Sequence, residues 1–309
     1  MKNIKKTALI GMGAIGSFLA GNLAPVLGED LRIIADGKRK ERLERDGMVI
    51  NGTPCYFHVV SPEEDTGYAD LAIIITKFTG LKQALEDMRK QIGPDTVIMS
   101  PLNGVESEAV VASVYGWERQ IYSLARVSVV RNGNQVSYDP KAAHVEFGEK
   151  TNETISERVQ AVRDLFERSG IESWVPKDMV RAIWLKYMSN VGENQTAAVL
   201  GIPFGAWEVS EHAIRAKEMV MCEVVAVAQK KGINLTDQDV ARHREVKKKA
   251  PYHNKPSTLQ DLEAGRQTEV EMFAGTMVRM GREEGVPTPL NEFLYHAIRV
   301  LEEKNEGMI

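Results

Sequence analysis

Residues 7–16 run Thr7-Ala8-Leu9-Ile10-Gly11-Met12-Gly13-Ala14-Ile15-Gly16. The first four carry no charge and no polar–apolar alternation, which predicts a strand buried on both faces. The glycines that follow are spaced Gly11-x-Gly13-x-x-Gly16. The first permits a tight turn, the second a close approach of backbone to an anion, and the third close packing of helix on strand. Free N–H groups at the start of the helix expected over Gly13–Leu27 would then face a pyrophosphate. The candidate phosphate-binding residues are therefore Gly11, Met12, Gly13, Ala14, Ile15 and Gly16.

Working outward, Leu31–Ala35 predicts a second strand about 20 residues on, in the spacing of a dinucleotide-binding βαβ unit. It ends at Asp36, whose carboxylate would accept from a ribose 2′-OH and so favours NAD. Lys38 and Arg39 follow at once and would neutralise the 2′-phosphate of NADP. Further apolar strands are expected over Leu71–Thr76 and Thr96–Ser100, with a helix over Leu81–Gln91. Lys77 and Asn103-Gly104 fall just after them, at the carboxyl ends where open α/β sheets bind ligands. Asn51-Gly52 and Asn132-Gly133 signal hairpins, the first between Met48–Ile50 and Tyr56–Val60. Strand–helix alternation makes the N-terminal half an α/β domain, a Rossmann doubly wound parallel sheet.

Past Pro176 the pattern changes to helices over Met179–Val199, Glu208–Lys231, Leu259–Glu284 and Asn291–Glu303. The expected division is 1–177 for the dinucleotide domain and 178–309 for an all-α domain carrying substrate and catalytic groups. Lys186, Asn190 and Asn194 lie at i, i+4 and i+8, on one face of a helix that is otherwise apolar around them. Such a polar stripe is costly without partners, and a substrate site is one way to supply them. Ser257-Thr258-Leu259-Gln260 also reads as a capping box with Ser257 as the N-cap. Glu269 on a helix is ordinarily a solvated group.

Together these features resemble the ketopantoate reductase (2-dehydropantoate 2-reductase) family. The likeness rests on Gly11-x-Gly13-x-x-Gly16, Lys77, Asn103-Gly104, Lys186-x-x-x-Asn190-x-x-x-Asn194, Lys255-Pro256-Ser257-x-Leu259-Gln260-Asp261 and Gly265-Arg266-x-Thr268-Glu269. The resemblance implies NAD(P)H-dependent reduction of ketopantoate to pantoate, in the route to pantothenate and coenzyme A. It implies Lys186 as the general acid and Glu269 as the group orienting it or the reacting oxygen. Ser257 would bind the carboxylate, and Asn190 and Asn194 the distal hydroxyl. Asn103 and Lys77 would sit beside the nicotinamide ribose and the substrate. Two positions depart from the family pattern: Asp36 stands where an arginine is usual, and Ala274 where an asparagine is frequent. The resemblance and the two cations favour NADP(H), with NAD(H) left open by Asp36. One conflict is geometric. Ser257 and Glu269 are 12 residues apart, or about 18 Å on a straight helix, too far for one small 2-oxo acid. The helix must start later or bend, with Gly265 as the natural point.

The remaining composition narrows the classes. The net charge of −4 offers no field for nucleic acid or an anionic membrane, and the basic run Arg242–Lys255 reads as a solvated loop. Two cysteines, Cys55 and Cys222, in no metal-ligating spacing, fit free thiols in a cytoplasmic protein, and no metal is expected. Lys2, Lys5 and Lys6 ahead of an uncharged run imitate a signal peptide, but the glycine pattern accounts for that run better. The expected partner is a small 2-oxo acid; a homodimer is admissible. A paralogous reductase of another 2-oxo acid and a silent dinucleotide-binding sensor are the alternatives. No histidine stands in a lactate-dehydrogenase-like setting.

Overall fold

A computed structural model describes residues 3–245 and 252–309. The chain divides into two compact units, Met1–Val180 and Arg181–Ile309. Lys247, Lys248 and Lys249 of the basic run lie outside the described residues.

In the first unit the apolar segments become the strands β1 (Thr7–Ile10), β2 (Leu31–Ile34), β3 (Met48–Ile50), β4 (Thr53–Cys55), β5 (His58–Val60), β6 (Leu71–Ile74), β7 (Val97–Met99), β8 (Gln120–Arg126), β9 (Val129–Asn132), β10 (Gln135–Tyr138), β11 (His144–Gly148) and β12 (Ser173–Trp174). The large sheet runs β12-β11-β8-β7-β6-β1-β2-β5. From β5 to β8 every pairing is parallel, while β11 joins β8 antiparallel. All residues of β1, β2, β6 and β7 are buried, as unalternating sequence demands of a sheet covered on both faces. Each buried Leu or Ile there contributes about 1.5–3 kcal/mol. The covering helices are α1 (Ala14–Leu27), α2 (Gly37–Asp46), α3 (Leu81–Asp87), α4 (Ser107–Tyr115) and α5 (Glu157–Arg168). The doubly wound Rossmann class is observed, with β1 and β6 flanking the point where strand order reverses.

A second sheet, β4-β3-β10-β9, carries both hairpins. The first differs from expectation. Asn51 and Gly52 have φ of 47° and 83°, both positive as in a type I′ turn. That turn pairs Ile50 with Thr53 immediately, so β4 closes the hairpin. The Tyr56–Val60 segment is released, and β5 becomes the edge strand beside β2.

The second unit contains α6 (Met179–Leu200), α7 (Ala206–Val209), α8 (Glu211–Lys230), α9 (Asp237–Glu245), α10 (Ser257–Glu263), α11 (Thr276–Glu284) and α12 (Pro289–Asn305). Three expectations are corrected. The Glu208–Lys231 helix is interrupted at Ser210, whose side chain accepts from the Ala213 N–H and starts α8 afresh. Arg242–Glu245, expected in a loop, end α9. The unbroken Leu259–Glu284 helix is corrected by a split at Gly265, φ +62°, the point at which a bend was expected, and its second part opens with a π-helical turn over Glu271–Gly275. Among the described residues no helix is long and apolar enough to cross a membrane. Both cysteines are free thiols.

Candidate active site

The glycine loop joins β1 to α1, and its three glycines meet different surroundings. A Cβ on Gly11 would lie 2.3 Å from the Ile75 carbonyl oxygen, and Gly11 has φ +107°. A Cβ on Gly16 would lie 1.9 Å from the Gly11 carbonyl oxygen, so helix and turn touch there. Nothing stands within 4 Å of the Cβ position of Gly13. The first backbone bond of α1 runs from Ser17 N–H to Gly13 C=O at 2.9 Å. The N–H groups of the turn before it have no intrahelical acceptor, which makes an anion-binding helix start.

Gly11 and Gly13 floor a cavity of about 440 Å³ at the reversal point of strand order, between the ends of β1 and β6. Gly11, Met12 and Gly13 line it from one strand end, and Thr76 and Lys77 from the other. The Thr76 hydroxyl oxygen is buried there without a hydrogen-bond partner among the described residues. Arg39 also lines the cavity, whereas Ala14, Ile15, Gly16, Asp36, Lys38 and Asn103 do not. Asp36 is the N-cap of α2, its carboxylate accepting from the Gly37 N–H at 2.7 Å. Asn103 lies past the end of β7, in a loop pinned where Ser107 donates to the Ser100 carbonyl at 3.1 Å. Volume, open glycine and N–H groups suit the adenosine and pyrophosphate half of a dinucleotide.

Two arginines on the cavity wall escaped the sequence reading: Arg42, one turn beyond Arg39, and Arg131 on β9. The Arg42 signal was present, since residues at i and i+3 share a helix face. Nothing local marks Arg131 beyond its place before a hairpin turn.

In the second unit, α6 presents Lys186 and Asn190 half-buried and Asn194 buried. Trp184, Tyr187, Met188 and Val191 around them are buried. Ser257 comes to this stripe: Asn194 Nδ2 donates to Ser257 Oγ at 3.5 Å. The capping-box expectation is corrected, because Pro256 holds the N-cap position and no side chain caps α10. Ser257 is instead the first residue of α10, and its hydroxyl meets Asn194.

The break at Gly265 places Glu269 after a turn instead of on the helix of Ser257. Thr268 is tethered there, its N–H and hydroxyl both donating to the buried Glu302 carboxylate at 2.7 Å. The Glu269 carbonyl accepts from the N–H groups of Met272 and Phe273. The π-turn follows at once, with Gly275 N–H bonded to Val270 C=O at 3.0 Å. A π-turn leaves a carbonyl short of its α-helical donor. The Tyr187 hydroxyl supplies one, donating to the Phe273 carbonyl at 2.8 Å. This bond ties the element after Glu269 to the helix that bears Lys186. Ala274 is fully buried with Ala198, Leu262, Val270 and Ile298.

The chain matches the family described as "Ketopantoate reductase PanE/ApbA" over residues 7–152, and its C-terminal counterpart over 178–302. It is 24% identical over 301 residues to an uncharacterized oxidoreductase, YkpB, of Bacillus subtilis (strain 168), covering 96% of this chain and 99% of that one. It is 26% identical to a 2-dehydropantoate 2-reductase of Mesorhizobium japonicum, covering 96% and 97%. Among solved structures, a D-mandelate dehydrogenase with NADH and anilino(oxo)acetate aligns with a TM-score of 0.88 at 23% identity, covering 97% and 99%.

Proposed function

The chain belongs to the ketopantoate reductase family, and from that premise we propose that it reduces a 2-oxo acid, ketopantoate first among them, with a nicotinamide dinucleotide. Residues 1–177 would hold the dinucleotide and 178–309 the substrate and the proton donor. The observation that carries this most is the glycine-floored cavity where strand order reverses, with open space at Gly13. The reduced nicotinamide, when bound, supplies the hydride.

The chain's own residues supply the rest. Reduction leaves negative charge on the former ketone oxygen, and the Lys186 ammonium gives it a proton and regains one from solvent. Glu269 orients that ammonium or the oxygen. Ser257 accepts from Asn194, so its hydroxyl hydrogen is free to meet the substrate carboxylate. Asn190 and Asn194 hold the distal hydroxyl. Lys77 and Asn103 stand by the ribose and substrate. NADPH is the expected preference: Arg39 faces the cavity while Asp36 is occupied in capping α2. A charge-assisted contact to the extra phosphate contributes about 1.5–3 kcal/mol.

A second reading is a paralogous reductase of another 2-oxo acid, one carrying an aryl group as in the aligned D-mandelate dehydrogenase bound to anilino(oxo)acetate. Steady-state kinetics with ketopantoate and phenylglyoxylate, each with NADPH and NADH, ranks these readings by kcat/KM. No turnover on either acid, with dinucleotide still bound, would favour a sensor. Lys186→Ala should lower kcat by at least about 100-fold while dinucleotide affinity is kept. Near-parental turnover in that variant removes Lys186 from the chemistry.

A further inference from the structure

We propose that Arg131, together with Arg42 and Arg39, forms a three-guanidinium clamp for a phosphate monoester on the adenosine ribose, and that Arg131 is a determinant of cofactor choice. This rests on the dinucleotide reading above and assigns its specificity to residues outside the glycine loop.

Three guanidiniums from two distant elements line one cavity. Two other cations of α2 are paired within the fold. Lys40 pairs with Glu64 at 2.7 Å, and Arg45 with Asp46 at 2.7 Å. Among the described residues Arg39 and Arg42, on the cavity side, have no such salt bridge. Arg131 is steadied by its Nε–H donating to the Gly133 carbonyl at 2.9 Å, which leaves its two terminal nitrogens for a ligand. Burial first, and then the charge of Arg42, hold Arg131 below its ordinary pKa. Like charges gathered without a carboxylate between them lower their repulsion by taking up an anion. The one acidic residue on the wall, Asp87, accepts from Gln83 Nε2 at 2.8 Å.

The anion must be compact and doubly charged to reward three guanidiniums. A phosphate monoester carries close to two charges at neutral pH and offers three acceptor oxygens for bidentate forks. Its position follows from topology. The glycine loop takes the pyrophosphate, and the segment after β2 lies beside the ribose 2′ position. The β9–β10 hairpin is held firmly enough to place Arg131. Its β10 pairs with β3, and Tyr138 packs edge-on against Phe18 of α1 at 4.9 Å.

The test is calorimetric titration of the full chain with adenosine 2′,5′-bisphosphate and with adenosine 5′-monophosphate, for the parent, Arg131→Ala, Arg131→Lys and Arg42→Ala. The parent should prefer the bisphosphate. Arg131→Ala and Arg42→Ala should each weaken the bisphosphate about 10-fold or more and leave the monophosphate unchanged. Arg131→Lys keeps charge without the fork and should fall between. Equal losses for both probes, or none, overturn the clamp. A chain that reduces a 2-oxo acid yet shows no probe difference overturns the clamp alone. One that shows the difference but reduces no 2-oxo acid overturns only the reductase reading.

Discussion

Gly13 and Gly16 belong to one motif but are glycine for different reasons. A Cβ on Gly16 would enter the Gly11 backbone, whereas at Gly13 it would enter open space. Gly13→Val should therefore fold normally and lose dinucleotide binding, while Gly16→Ala should lower Tm as well. Circular dichroism melts beside fluorescence titration with NADPH separate the two effects; cofactor affinity left intact in Gly13→Val would end the phosphate-loop assignment. At this scale the sequence is legible where backbone geometry admits a single residue type, as in the glycine loop. It is ambiguous where one side chain has two uses. Asp36 could cap or bind ribose, and the structure shows it capping α2. Ser257 could cap or face the polar stripe, and it faces Asn194. Arg131 was invisible because an arginine on a strand next to a turn looks like any solvated residue until the fold brings Arg39 and Arg42 to it.

Among elements, α6 has the most demands on it, and its start is fastened by a part-buried ion pair. Arg181 donates to Asp239 of α9 at 2.6 Å, and Thr236 N–H reaches the same carboxylate at 2.9 Å. Burial alone would raise the Asp239 pKa, but the Arg181 and Thr236 hydrogen bonds outweigh it and hold the carboxyl below its ordinary value. Asp239→Asn should cost about 2 kcal/mol at neutral pH, less than a fully buried pair because the Arg181 side chain is 25% exposed. A folded pKa below the unfolded one gives stabilisation that is complete above roughly pH 4 and lost as pH falls through the folded value. Urea melts of parent and variant should therefore converge in acid; a constant gap across pH would show that the charge is not the cause. The change of character past Pro176, punctuated by Gly232, Gly285 and Pro287, announced α6 and α12 well. It could not announce the break near Gly265 or the π-turn, since the hydrophobic pattern continues through both while backbone hydrogen bonding changes. The conflict between Ser257 and Glu269 was the readable trace of that break.

At the scale of the molecule, each unit buries apolar residues of its own, under the large sheet in the first and between helices in the second. A ligand held by the native glycine-loop cavity stabilises by mass action. NADPH at 100 times its Kd should add about 2.7 kcal/mol and raise by several degrees the calorimetric transition of the unit that holds it. The same NADPH should leave Gly13→Val unmoved; an equal shift there would place binding elsewhere. The two-part architecture was open to sequence because composition and period both change near Pro176. The second small sheet was not, because β10 pairs with β3 across more than eighty positions of chain and no local pattern reports such a meeting. That distant pairing has a modular consequence. Arg126 and His144 sit opposite each other in the β8–β11 ladder, so residues 127–143 leave the large sheet and return to it at neighbouring points. The excursion is therefore a cassette with adjacent ends: with Phe18 and Asn22 kept to receive Tyr138, it could be exchanged between related scaffolds, carrying Arg131 and its share of cofactor choice with it.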